Sequence, residues 1–136
     1  MEDRKAKALR LIELFQSTMN DFIGSNDNGK RIIINNAGKV LLKNDGSNPI
    51  PISDLSSGEK QLLTFFAHLI FDVDDNSSCI FVVDEPELSL HLSWQKMFVE
   101  KTLQINKNIQ LIFATHAPEI VGKYRDKMFK LERHLS

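Results

Sequence analysis

The chain has 136 residues, 17 basic and 18 acidic, for a formal net charge of -1. Hydrophobic residues make up 42% and charged residues 26%, the balance of one ordinary folded domain. This excludes a disordered chain and any strong overall field towards nucleic acid or membrane. The single cysteine rules out an internal disulfide and a multi-cysteine metal site, and it fits a reducing, cytoplasmic compartment. No apolar run approaches the ~20 residues of a bilayer span. Met1-Glu2-Asp3-Arg4-Lys5 leads into a helical pattern rather than a signal-peptide core.

Lys5 to Ile23 reads as an amphipathic helix, with Ala8, Leu11, Ile12, Phe15, Met19 and Phe22 at helical spacing. Turn residues Gly24 to Gly29 end it. Lys30 to Ile34 and Lys39 to Lys43, joined by Asn35-Asn36-Ala37-Gly38, predict a β-hairpin. Asn44 to Asp54 predicts a loop. Ser57 to Phe71 predicts a helix with Leu62, Phe65, Phe66, Leu69 and Ile70 on one face. Asp72 to Ser78 is a polar turn, and Cys79 to Val83 is a wholly apolar strand of the kind covered on both faces in a parallel sheet. Leu88 to Ile105 predicts a helix anchored by Trp94, Phe98 and Leu103. Ile109 to Phe113 predicts another apolar strand. A short helix near Pro118 to Gly122 and a final strand near Met128 to Leu131 complete the chain. This alternation predicts an α/β layer with parallel pairing.

Three segments carry chemistry. At the end of the Cys79–Val83 strand stand Asp84-Glu85-Pro86. The carboxyl edge of an α/β sheet is where ligands bind. One carboxylate there can hold Mg²⁺ and a second can polarise water; the plainer alternative is an acidic turn before a helix. Leu55-Ser56-Ser57-Gly58-Glu59 reads as a capping box, with Ser56 as N-cap and Glu59 three residues on. The same helix start is also a ready anion site, and the two readings are compatible. Thr115-His116, straight after the second apolar strand, lies on the same edge as Asp84 and Glu85. His116 can meet a phosphate or a water there, or simply cap the next helix.

Taken in order, Ser56-Ser57-Gly58-Glu59-Lys60-Gln61, Asp84-Glu85-Pro86-Glu87-Leu88-Ser89-Leu90-His91 and Thr115-His116 closely resemble the C-terminal lobe of an ABC-type ATPase head. The resemblance runs from about Leu55 to Leu131 and is to the non-transporter branch, the SMC-like, RecF-like and OLD-type AAA ATPases. It implies the C-terminal half of a P-loop NTPase fold, with short parallel strands flanked by helices. Residues 55–136 are then the lobe, and residues 1–54 the helix and hairpin leading into it. It implies that Ser56, Ser57, Gly58 and Glu59 form the signature that contacts the ATP of an opposing protomer, with Ser57 and Glu59 where Gly and often Gln are usual. It implies that Asp84 is the Walker B aspartate for Mg²⁺ and Glu85 the catalytic carboxylate. Ser89, Leu90 and His91 would form the D-loop, and His116 the switch histidine. Cofactors would be ATP and Mg²⁺. The resemblance further implies a homodimer of heads, a role in DNA repair or anti-phage defence, and an effector such as a nuclease.

A complete site also needs a Gly-rich phosphate loop between a strand and a helix. Gly24 to Arg31 has the glycine spacing and Lys30, but Arg31 replaces the hydroxyl and the helix precedes rather than follows, so this string reads as a hairpin turn. No glutamine can be assigned to the family's Q-loop. The length is accordingly short for a complete nucleotide-hydrolysing domain, and the lobe is expected to need a Walker A-bearing partner lobe and to hydrolyse little alone. A non-catalytic interaction module derived from such an ATPase is the alternative. Lys123, Arg125, Lys127 and Lys130 form the densest basic group, ordinarily a solvated face, so direct nucleic-acid binding is weakly supported. Cys79 reads as a small core hydrophobe and His68 as a helix-surface or packed histidine. No zinc cluster or Gly-x-Ser-x-Gly nucleophile motif is present.

Overall fold

A computed structural model describes residues 3–25, 29–46, 48–74 and 76–131. Helix α1 spans Arg4–Ile23 and opens on Asp3, whose side chain accepts from the Lys5 amide. The hairpin follows as β1, Arg31–Ile34, and β2, Val40–Lys43, antiparallel in register Arg31 with Lys43. The edge of β1 is held by amide side chains of α1. Asn20 Oδ1 accepts from Ile32 N–H at 2.7 Å, Asn20 Nδ2 donates to the Ile32 carbonyl at 3.0 Å, and Gln16 Oε1 accepts from Ile34 N–H at 3.1 Å. The match is geometric: four residues of helix rise ~6 Å, and two residues of strand ~6.6 Å. Within the predicted loop, Ile50 bridges Leu42, and Ile52–Asp54 forms a single 3₁₀ turn.

Helix α2 spans Ser57–Ala67 and widens into a π turn over His68–Asp72, where the sequence predicted regular helix to Phe71. Strands β3, Cys79–Asp84, and β4, Ile109–Ala114, pair in parallel with Cys79 opposite Ile109 and Asp84 opposite Ala114. Between them Pro86–Leu88 makes a 3₁₀ turn, and helix α3 runs from Leu92–Ile105. The helix expected from Leu88 therefore begins four residues later, because Pro86–Leu88 turns tightly and His91 takes the extended N-cap conformation (φ -67°, ψ 161°). After β4, a kinked 3₁₀ segment covers Pro118–Lys127, broken at Gly122 with φ 47°.

An aromatic seam holds the layers together. Phe22 of α1 meets Phe66 of α2 (5.4 Å) and Trp94 of α3 (6.1 Å). Phe65 meets Phe81 of β3 at 4.9 Å and Phe98 of α3 at 4.5 Å, and Phe98 meets Phe113 of β4 at 6.0 Å. Helices α2 and α3 thus cover the odd-numbered face of the β3–β4 sheet. The even-numbered face is bare: Ile80 is 62% exposed, Val82 69% and Ile112 44%. The expected cover on both faces of β3 is therefore corrected to one face among the described residues.

Met128 to Leu131, expected as a strand, is not one. The segment is largely apolar but pairs with no strand among the described residues, and Phe129 and Leu131 are more than nine-tenths exposed. No helix among the described residues is long and apolar enough to cross a membrane.

Candidate functional site

The parallel register sets the site. With Asp84 opposite Ala114, both strands end level, and the residues just beyond them emerge side by side. Glu85 stands in the left-handed region (φ 43°, ψ 55°), the only described non-glycine residue with positive φ. Its amide donates to the Ala114 carbonyl at 2.7 Å, which extends the ladder one bond past the strand. The left-handed backbone then turns the chain into Pro86. His116 Nε2 lies 3.7 Å from Glu85 Oε1, with the histidine 91% exposed. The Asp84 carboxylate is exposed and has no hydrogen-bond partner among the described residues. The structure thus brings Asp84, Glu85 and His116 to one edge.

A fourth residue ties this group together. Glu87 Oε2 accepts from the Thr115 hydroxyl at 2.7 Å, and Glu87 Oε1 accepts from the His116 amide at 2.8 Å. Thr115 Oγ1 accepts in turn from Ala117 N–H at 2.9 Å. Burial pushes the Glu87 pKa up. That effect is outweighed by hydrogen bonds from the Thr115 hydroxyl, its own amide and the His116 amide, and by the charge of His116, so the net shift is downward. Sequence reasoning did not single out Glu87.

The second group forms the start of α2. Ser56 is the N-cap: its Oγ accepts from Glu59 N–H at 3.2 Å, and its N–H donates to Glu59 Oε2 at 2.8 Å. The capping box is therefore present. Lys30 reaches the same carboxylate, at 3.1 Å to Oε1 and 2.8 Å to Oε2. Ser56 and Ser57 are exposed, whereas Gly58 and Glu59 are buried and the Glu59 carboxylate is fully engaged inside the fold.

Ser89 and Leu90 join the two groups. A Cβ on Gly58 would overlap the Ser89 carbonyl oxygen, so only glycine allows the helix start to lie against this turn. Ser89 Oγ donates to Gln61 Oε1. Leu90 is in the core at 2% exposure. His91 is exposed, bonded through Nδ1 to Ser93 Oγ at 2.7 Å and packed on Trp94 with ring centroids 4.3 Å apart. Of the expected D-loop residues, His91 is exposed, Ser89 half-buried and Leu90 buried.

A divalent cation fits the strand-end group. Asp84 offers one unengaged carboxylate, and Mg²⁺ takes one or two carboxylates while keeping waters and substrate oxygens in its shell. A dedicated cage is absent: no group of three or more His, Cys, Asp or Glu ligands occurs among the described residues. Cys79 is half-buried at the base of β3, and His68 lies on the surface against Asp72 at 2.5 Å.

This arrangement of short parallel strands and covering helices has the fold of part of a solved SMC head. A solved SMC head, bound to the C-terminal winged-helix domain of ScpA, superposes with a TM-score of 0.58 at 19% identity, covering 81% of this chain and 35% of that one. The chain belongs to the family described as "AAA domain, putative AbiEii toxin, Type IV TA system", which matches residues 2–122. Among its relatives, "Retron Vc95 probable ATPase" of Vibrio cholerae serotype O1 biovar El Tor is 27% identical over 143 residues and covers 98% of the chain. "Retron Ec83 probable ATPase" of Escherichia coli is 32% identical over 90 residues, or 60% of the chain. The chain spans 27% and 16% of the length of these two relatives.

Proposed function

We propose that this chain is the hydrolytic and dimer-contacting lobe of an ABC-type ATPase head. The observation that carries the reading is the meeting of Asp84, Glu85 and His116 at the level ends of β3 and β4. On this reading Glu85 orients or deprotonates the attacking water, and His116 donates to a terminal phosphate oxygen. Asp84 would hold Mg²⁺, which neutralises phosphate charge when bound. Ser56 and Ser57 are exposed at a helix N-terminus, and the ATP of a second head would be met there in trans. Two relatives named as ATPases support the nucleotide reading.

The lobe acts with a Walker A-bearing lobe and in a head-to-head dimer. The bare even-numbered face of the β3–β4 sheet supports this, since a sheet in this class is covered on both sides. The open cleft beside it, bordered by Lys60, Gln61, Thr64, Val82 and Asp84, has room for further chain. The pairing of Lys30 with Glu59 supports the reading that the Gly24–Arg31 string is not the phosphate loop. That same commitment favours the second reading, an interaction module that no longer turns over ATP. The resemblance to SMC-like, RecF-like and OLD-type ATPases points the first reading to DNA repair or anti-phage defence, with an effector such as a nuclease gated by hydrolysis.

Glu85→Gln in the complete polypeptide separates the two. The enzyme reading expects turnover to be abolished while ATP-dependent association of heads persists. Unchanged turnover would remove Glu85 from the mechanism, and absence of ATP turnover in the wild-type polypeptide would favour the interaction module.

A further inference from the structure

We infer that Glu87 is the positioning residue of the site: its carboxylate holds the Thr115–His116 turn, and through it His116, against Glu85. The inference rests on the reading of Glu85 and His116 as the hydrolytic pair. Two ties join the loops after β3 and β4. The first is the Glu85 amide on the Ala114 carbonyl, at 2.7 Å. It fixes where β3 ends but leaves the two residues beyond Ala114 unrestrained. The second is Glu87, whose two carboxylate oxygens accept from the Thr115 hydroxyl and the His116 amide at 2.7 and 2.8 Å. A bidentate acceptor fixes the orientation of the turn as well as its distance.

The His116 ring is 91% exposed and lies 3.7 Å from Glu85, with the Glu87 carboxylate close enough to interact with its charge. Its placement therefore depends on its backbone, and its backbone depends on Glu87. The other end of the lever is equally defined. Glu87 sits in the Pro86–Leu88 turn, with Pro86 buried ahead of it and the left-handed Glu85 before that. Moving the Glu87 carboxylate thus moves His116 relative to Glu85 without touching either side chain. Thr115 completes the device, since its hydroxyl donates to Glu87 while accepting from Ala117 N–H. A glutamine at 87 keeps one carbonyl oxygen for the His116 amide. An alanine keeps none.

The test uses the complete polypeptide and four variants: Glu87→Ala, Glu87→Gln, His116→Ala and the Glu87→Ala/His116→Ala pair. Hydrogen exchange at the His116 amide reads the clamp directly, and kcat and KM with MgATP read its consequence. Glu87→Ala is expected to speed exchange at His116 and lower kcat by about 10²-fold with KM unchanged, the loss typical of a misplaced reacting group. Glu87→Gln is expected to recover part of both. In the pair, Glu87→Ala is expected to add no loss to that of His116→Ala, because the residues act as one unit. Unchanged exchange at His116 in Glu87→Ala would overturn the inference, as would kcat losses that multiply. A wild-type polypeptide with no turnover would instead overturn the hydrolytic reading, and the exchange result would still decide the clamp.

Discussion

Lys30 Nζ lies 3.1 and 2.8 Å from the two carboxylate oxygens of Glu59, joining residues 29 positions apart. The lysine precedes β1 and the glutamate is the third residue of α2, so the pair pins the hairpin to the start of that helix. Their side chains are only 19% and 7% exposed. At that burial, removing one partner strands the other charge, which costs more than the pair itself contributes. Lys30→Met is expected to lower unfolding stability by about 3 kcal/mol, the lower end for a stranded buried charge. Adding Glu59→Gln removes the stranded charge while glutamine keeps the capping box. The double variant should therefore be more stable than Lys30→Met alone. Denaturant unfolding of the four members of the cycle checks this, and a double variant weaker than the single would contradict it.

The contact between Gly58 and Ser89 is made by backbone on both sides. A methyl at 58 cannot be relieved by a rotamer change, because the atom it meets is a carbonyl oxygen. Gly58→Ala is expected to cost about 3 kcal/mol, at the upper end for a forced fit. In the complete polypeptide it should also weaken ATP-dependent association, because the α2 start and the Ser89 turn move apart together. Thermal unfolding and sedimentation with and without ATP measure the two effects.

Glu87 sets an expected pH dependence. Its carboxyl is held below the ordinary value of 4.5, so the folded state favours the ionised form more than the unfolded state does. The resulting stability is complete above that value and is lost as pH falls through the lower folded pKa. Glu87→Gln has no such group. The stability difference between wild type and Glu87→Gln should therefore be constant near neutrality and shrink below about pH 4.5. A difference that grew on acidification would be the wrong sign.

The bare sheet face yields a prediction about context. Ile80, Val82 and Ile112 of β3 and β4 are exposed apolar side chains on this face. Replacing all three by threonine keeps strand propensity and should change the thermal midpoint of this segment little. In the complete polypeptide the same change should lower both the midpoint and ATP turnover, if the Walker A-bearing lobe covers this face. Equal effects in both settings would argue that the face stays open.

Local signals carried most of the elements. The helical period in Lys5 to Ile23, the hairpin around Asn35–Gly38 and the two apolar strands all appear where patterning put them. The failures are cases where a local pattern met an absent or different partner. Met128 to Leu131 is apolar enough for a strand and has no strand to bond among the described residues. Leu88 has helical spacing but is captured by the turn after Pro86. At the site, Asp84, Glu85 and His116 could be read because they follow apolar strands; their closeness depends on a register that no single segment encodes. Glu87 and Lys30 were opaque for a stronger reason. Each acts on residues 28 or 29 positions away, and neither belongs to a local pattern that requires it there.

Glu85 has one more consequence. A glutamate at φ 43° occupies a region that glycine or asparagine adopts more readily, at a cost of about 1–2 kcal/mol for an ordinary side chain. The carboxylate thus sits on a backbone that would be more comfortable with asparagine. If Glu85 is the hydrolytic carboxylate proposed above, a screen that ranks variants of this chain by melting temperature would favour asparagine at 85 and would enrich heads that have lost turnover. On that reading, selection for chemistry and selection for robustness pull in opposite directions at this position.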